Sequence, residues 1–293
     1  MQSLMISGDR SGSGKTSITV AVASLLSRLI QVQTFKVGMD YIDPSYLSAV
    51  TGRPCRNLDT FVMNRTEISG IFDHGSRGAD LALVEGVRGL YEGAESTDDT
   101  GSSASVAKAL SIPVVLVVSA RSITRSAAAL VRGFQSFDPA VDIRGVILNN
   151  VSGPQHIRKA TEAIEHHCGI PVIGAVPRMP GMELTMRHLG LVPSNEAAAA
   201  GETVGAVRAL VCFGTSCAPP VTEPRALADL GRLDEAERAQ RRAVELAPRS
   251  ASARLSRKLR PSLSMWLENA TIGSVIAVAV LGIYEFRHRT TSR

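Results

Sequence analysis

Residues 8–17 read Gly-Asp-Arg-Ser-Gly-Ser-Gly-Lys-Thr-Ser, between an apolar run and a helix-like stretch. That order suits a loop that wraps phosphate. Gly12 and Gly14 let backbone N–H groups converge on phosphate oxygens, and the positive end of the following helix favours the same anion. Lys15 would reach the β- and γ-phosphates as a point charge, and Thr16 would offer its hydroxyl to Mg²⁺. Ser13 and Ser17 complete the set. The strict pattern puts glycine six residues before the lysine. Asp9 holds that place here, and the glycine is one earlier, at Gly8. The plain alternative is a Gly/Ser-rich turn at a strand–helix joint. The combination of strand, glycines, Lys-Thr and helix points to a nucleotide cradle one residue longer than usual.

Phosphoryl transfer needs Mg²⁺, and Mg²⁺ needs carboxylates beside the phosphates. Glu85 closes the run Leu81-Ala82-Leu83-Val84, and Gly86 after it lets backbone pass close to a ligand. Asp40 and Asp43 follow the run that carries Lys36. In an open α/β sheet, ligands sit beyond the carboxyl ends of strands, where all of these fall. An acidic residue before proline, like Asp43 before Pro44, also suits a cap on a helix beginning near Ser45. The density of charge around Lys36 favours the site reading.

Gly86–Gly93 holds three glycines in eight residues, and 95–103 is wholly polar or glycine. Long loops of this kind in compact domains are functional or mobile. Arg88 there suits a substrate carboxylate or a solvated surface equally. The histidines show no metal-ligand spacing. His166-His167 suit a helix end, where the dipole favours cations.

Positioning these groups takes a particular framework. Runs at Leu4–Ser7, Thr34–Val37, Leu81–Glu85, Val114–Ser119, Gly145–Asn149 and Val172–Val176 are short, rich in Val, Ile or Leu, and do not alternate with polar residues. Strands buried on both faces read this way. Helical stretches at Lys15–Leu29, Thr66–His74, Ser102–Leu110, Arg125–Phe134 and Gln155–Cys168 lie between them. The alternation predicts an α/β fold, a mostly parallel P-loop NTPase-like sheet with helices on both faces.

Charge separates this body from the rest of the chain. Residues 1–200 carry 18 Lys/Arg and 18 Asp/Glu, whereas 201–293 carry 14 and 9. A neutral body argues against nucleic-acid binding. No basic n-region with a long apolar run opens the chain, so a cytoplasmic location is expected. Four irregularly spaced cysteines form no paired metal motif. Residues 201–224 read as a linker, and 225–260 as a helical segment resembling one tetratricopeptide repeat. A single repeat cannot bury its own face. Segment 261–293 carries the uncharged run 270–284 with basic flanks. Spanning a membrane takes about 20 residues, so a tail anchor and a buried or interfacial helix both stay open.

The blocks Ser7–Thr16, Phe35–Tyr46 (FKVGMDYIDPSY), Arg56–Phe61 (RNLDTF), Val84–Gly93 (VEGVRGLYEG), Ser105–Ala120, Arg125–Gly133, Gly145–Val151 (GVILNNV) and Arg187–Pro193 run in an order that resembles the cobyrinic acid a,c-diamide synthase family. That family includes the Ni-sirohydrochlorin a,c-diamide synthases of coenzyme F430 biosynthesis. The resemblance implies ATP-dependent amidation of the a and c acetate side chains of a tetrapyrrole through an acyl phosphate. It implies Lys15 and Thr16 on ATP and Mg²⁺, and Glu85 and Asp43 on Mg²⁺ or in activation. Asp40 and Lys36 would position the substrate carboxylate, and Asn149 would meet the adenine. A homodimer is expected. Met39 replaces a usual proline of the cobyrinate enzymes, and Ser119 an aspartate of many, which leans toward the nickel branch.

Family members continue into a class I glutamine amidotransferase domain. Residues 201–293 offer Cys212, Cys217 and His288, with no elbow-like glycine setting. The glutaminase half is therefore expected to be absent, with free ammonia or a separate glutaminase as nitrogen source. Two other readings stay open. One is a partitioning-type P-loop ATPase with a membrane-associated tail, though Gly8-Asp9-Arg10 lacks that class's second lysine. The other is an inactive truncated fusion.

Overall fold

A computed structural model of the 293-residue chain describes residues 1–178, together with the backbone of 186–187 and 190–191. The linker, repeat-like segment and apolar run expected over 201–293 lie outside the described residues.

Seven strands form one sheet, β1 Gln2–Gly8, β2 Val32–Val37, β3 Arg56–Leu58, β4 Leu81–Glu85, β5 Val114–Ser119, β6 Ile143–Val151 and β7 Val172–Pro177. Their spatial order is β3-β2-β4-β1-β5-β6-β7, and every pairing is parallel. A two-residue antiparallel ladder, β8 Met186–Arg187 with β9 Gly190–Leu191, stands apart from it. The helices are α1 Lys15–Ser27, α2 Ile42–Thr51, α3 Arg65–Gly75, α4 Ser103–Leu110, α5 Arg125–Phe137 and α6 Pro154–Cys168.

Every residue of β2 and β4 is buried, as in strands covered on both faces, and in β2 that burial takes in Gln33, Thr34 and Lys36 as well as the apolar residues. Met5, Phe35, Leu83, Leu116 and Leu148 are among the fully buried side chains. Each such side chain contributes about 1.5–3 kcal/mol relative to exposure. Right-handed crossovers put α1 and α2 on one face and α3–α6 on the other. The packing agrees, since α1 packs on α2, α3 on α4, and α5 on α6.

This handedness makes the site. The chain leaving β1 turns to one face, while the chains leaving its neighbours β4 and β5 turn to the other. Such a reversal opens a crevice at the carboxyl ends of the strands. Six strands fall where the sequence places them. The short β3 goes unforeseen, because its three residues run from exposed to buried and form no apolar run.

One local expectation is corrected. Helix α2 begins at Ile42, three residues before Ser45, and Asp43 lies in its first turn rather than at its cap. Pro44 is tolerated there because N–H groups of a first turn have no intrahelical partner anyway.

Candidate active site

The phosphate loop leaves β1 at Gly8. Asp9 still hydrogen-bonds to its neighbour strand, its N–H donating to Val117 O at 2.9 Å. The turn therefore starts late, which accounts for the extra residue. Gly12 and Gly14 have φ of 75° and 92°, conformations open to glycine. A Cβ on Gly14 would also collide with Asn149 Nδ2. Ser13 is buried, Ser17 is half-buried in the first turn of α1, and Lys15 opens that helix.

Asp9 is buried with its side chain fully covered. Its Oδ2 accepts from Arg10 Nε at 3.1 Å and Nη2 at 2.8 Å, and from the Ser119 N–H at 3.4 Å. The carboxylate that replaces a glycine thus ties the loop to the end of β5 and carries its own counter-ion.

Four predicted residues converge beside the loop. Lys36 and Glu85 are register partners on β2 and β4, so their side chains leave the same face of the sheet. Lys36 Nζ donates to Asp43 Oδ2 at 2.5 Å, to Glu85 Oε1 at 2.9 Å and to Gly86 O at 3.2 Å, using all three N–H bonds. Thr16 Oγ1 lies 2.5 Å from Glu85 Oε1 and 3.2 Å from Asp43 Oδ2, its one proton shared between the two carboxylates. Asp40 Oδ2 stands further out, 4.0 Å from Lys36 Nζ and partly exposed.

Electrostatics sort these groups. Burial pushes Glu85 up and the Asp43 charge adds to it, while Lys36 opposes; the net direction is up. Burial also pushes Asp43 up, but the charge and hydrogen bond of Lys36 outweigh it, and the net direction is down. Lys36 is raised, because its two carboxylates outweigh its burial. Lys15 is lowered by burial and by the neighbouring Lys36 charge. The residue is largely buried, and its ammonium makes no hydrogen bond or ion pair among the described residues. The Glu85 and Asp43 charges act on the ammonium from a distance, so its donors stay open to a phosphate oxygen.

The donor set fits Mg²⁺. Two carboxylates and a hydroxyl converge, all oxygen, and Glu85 Oε2 is buried with no partner among the described residues. Mg²⁺ is usually held by one or two carboxylates, with phosphates and water completing its shell. Among the described residues no group of three or more His, Cys, Asp or Glu is arranged to hold a metal.

Two placements were not foreseen in the sequence, those of Asn57 and of a set of exposed apolar side chains. Asn57 on β3 donates from Nδ2 to Gly38 O at 2.7 Å and Asp40 O at 2.6 Å, and so holds the chain between β2 and α2. Its block, Arg56–Phe61, is visible in the sequence, but its role depends on the unforeseen strand. Gly86, expected to let backbone pass close to a ligand, is pressed by its own chain, since a Cβ there would crowd Ser7 Oγ at 2.6 Å and Ser103 Oγ at 2.7 Å. Met39 and Tyr41, between β2 and α2, and Phe61, beyond β3, are 71%, 73% and 61% exposed.

Asn149 Nδ2 donates to Ser13 O at 2.8 Å, and its Oδ1 accepts from the Asn150 N–H at 2.9 Å. It lies against the loop, with both ends of its amide engaged within the chain. The glycine-rich segment 86–93 is tied down rather than loose, with Leu90 N–H on Gly8 O at 2.8 Å and Tyr91 Oη donating to Phe134 O at 2.6 Å. Arg88 is exposed and donates to Gly93 O at 3.2 Å.

The family model for the CobQ/CobB/MinD/ParA nucleotide binding domain matches residues 4–192. The chain belongs to that family. The P-loop geometry is therefore that of a nucleotide-binding domain. Cobyrinate a,c-diamide synthase of Methanosarcina acetivorans is 56% identical over 197 residues, covering 66% of this chain and 40% of the relative. The protein of the same name from Methanocaldococcus jannaschii is 47% identical, covering 67% of this chain and 44% of the relative. The chain thus spans about two fifths of the length of these curated relatives. Among solved structures, MinD of Aquifex aeolicus superposes with a TM-score of 0.40 at 15% identity, covering 75% of this chain and all of MinD. Among the described residues no helix is long and apolar enough to cross a membrane.

Proposed function

We propose that residues 1–200 are the carboxylate-activating part of a cobyrinate a,c-diamide synthase, with ATP as phosphoryl donor and a tetrapyrrole acetate side chain as acceptor. The observation that carries this reading is the convergence of Lys36, Asp43, Glu85 and Thr16 on the phosphate loop. A site for nucleotide alone has no need of a second buried lysine that holds two carboxylates beside the phosphate loop.

In this reading Lys15 and the loop N–H groups hold the triphosphate. Thr16, Asp43 and Glu85 would hold Mg²⁺, which would neutralise phosphate charge. Asp40, partly exposed, lies at the mouth where the substrate carboxylate would enter, and Lys36, its three N–H bonds spent on Asp43, Glu85 and Gly86 O, acts by holding those carboxylates in place. A carboxylate oxygen attacks the γ-phosphorus, ADP leaves, and an acyl phosphate forms. Ammonia then attacks the acyl carbon, inorganic phosphate leaves, and the nitrogen loses a proton to give the amide. The protein contributes positioning and charge neutralisation, which supply most of the catalysis in such transfers. Exposed Met39, Tyr41 and Phe61 give a flat apolar macrocycle a surface beside the polar mouth. The relatives are named for cobyrinate, so that macrocycle comes first, with nickel-sirohydrochlorin second. Ammonia would come free or from a glutaminase, the chain would act as a homodimer, and Asn149 would border the adenine.

The test is mass spectrometry of each macrocycle after incubation with ATP, Mg²⁺ and ammonium or glutamine. The mass change of carboxyl-to-amide exchange, lost in Lys15→Ala, is the expected result. No exchange on either macrocycle, with nucleotide bound, would reject the reading.

A further inference from the structure

Among the described residues, His156 on α6 is the side chain that hydrogen-bonds to both loops beyond β5 and β6. Its Nε2 lies 2.6 Å from Ile123 O. A carbonyl can only accept, so Nε2 carries the proton. Its Nδ1 lies 3.2 Å from the Ser152 N–H, which can only donate, and 2.9 Å from Ser152 Oγ. The two contacts fix one neutral tautomer.

The loops it joins border the phosphate loop on the side away from the acids. Asn149 at the end of β6 holds Ser13 O, and Ser119 at the end of β5 reaches Asp9. Ser122 in the first loop and Asn150 at the irregular end of β6 have φ of 61° and 60°. Left-handed backbone is costly at a serine, though not at an asparagine, and such positions cluster at ligand clamps. Lys36, Asp43 and Glu85 fill the β2–β4 side, so a nucleotide whose phosphates lie on the loop has its base toward β5 and β6.

We infer that His156 is a positioning residue for the nucleobase, clipping together the two loops beyond β5 and β6. The inference rests on the nucleotide reading of the site. It concerns the base only, so it predicts a selective loss.

Titration calorimetry of the full chain with Mg²⁺ and either ATP or inorganic tripolyphosphate tests it. His156→Ala should weaken ATP about tenfold and leave tripolyphosphate within about twofold, a tenfold change being about 1.4 kcal/mol. Ser152→Ala removes one exposed contact and should weaken ATP less, again without touching tripolyphosphate. His156→Gln, whose amide both donates and accepts, should recover part of the loss. Unchanged ATP affinity in His156→Ala, or equal weakening of both ligands in both alanine variants, would overturn it. Failure of the unsubstituted chain to bind either ligand would instead sink the nucleotide reading, and this inference with it.

Discussion

Lys36 and Glu85 are register partners on adjacent parallel strands, and their charged ends meet at 2.9 Å inside the sheet. Burying both ions is expensive, and only their mutual attraction and further hydrogen bonds offset it. Asp43 adds a second anion and Gly86 O a third acceptor. The arrangement holds two carboxylates side by side with one ammonium between them. Removing the ammonium should therefore hurt stability as well as chemistry. Lys36→Met should lower unfolding free energy by about 3 kcal/mol or more, read from denaturant midpoints, and abolish amidation.

Asp43 and Glu85 respond to acid with opposite signs. Asp43 is held below the usual carboxylate range, so its stabilisation is full above that range and is lost as pH falls through its folded pKa. Glu85 is held above it, so its ionised form costs stability, and that cost is relieved as pH falls. Asp43→Asn should flatten the loss of stability below about pH 4. Denaturant midpoints across acid pH, with and without the substitution, check this; parallel curves would count against the assignment.

Much of the fold and site was legible in the residues and some was not. Strands such as Val114–Ser119 declare themselves because burial on both faces leaves an unbroken apolar run. Lys15, Thr16 and Glu85 declare themselves by their place after glycine or at a strand end. The short β3 has no such run, so the role of Asn57 was hidden with it. Asp43 before Pro44 reads locally as a cap. Its actual partners, Lys36 and Thr16, lie on other elements, and no local pattern reports them.

Gly14 should tolerate no side chain. Its φ of 92° costs a non-glycine residue roughly 1–3 kcal/mol, and a Cβ would strike Asn149 Nδ2. Gly14→Ala should weaken nucleotide binding at least about tenfold in calorimetry. Adding Asn149→Ala should not restore it, since the backbone conformation stays unfavourable.

Asn57 holds the chain around Asp40, which the proposed chemistry puts beside the substrate carboxylate. Asn57→Ala loses both bonds to the chain around Asp40. Steady-state kinetics should show KM for the tetrapyrrole rising several-fold, with KM for ATP little changed. Equal effects on the two would mean a general loss of structure.

Cys55 should be chemically quiet. Burial pushes its thiol up to about 12, so almost no thiolate exists at neutral pH. Alkylation at neutral pH, mapped by peptide mass, should leave it unmodified in the folded chain and modify it in denaturant.

Transfer of the terminal phosphoryl group to a carboxylate is the step on which the proposed chemistry depends, and it leaves an isotopic trace. With heavy oxygen in the acetate carboxylates of the tetrapyrrole, ATP, Mg²⁺ and ammonium, each amide formed should send one heavy oxygen into inorganic phosphate. Phosphate free of the label, while amide accumulates, would contradict it.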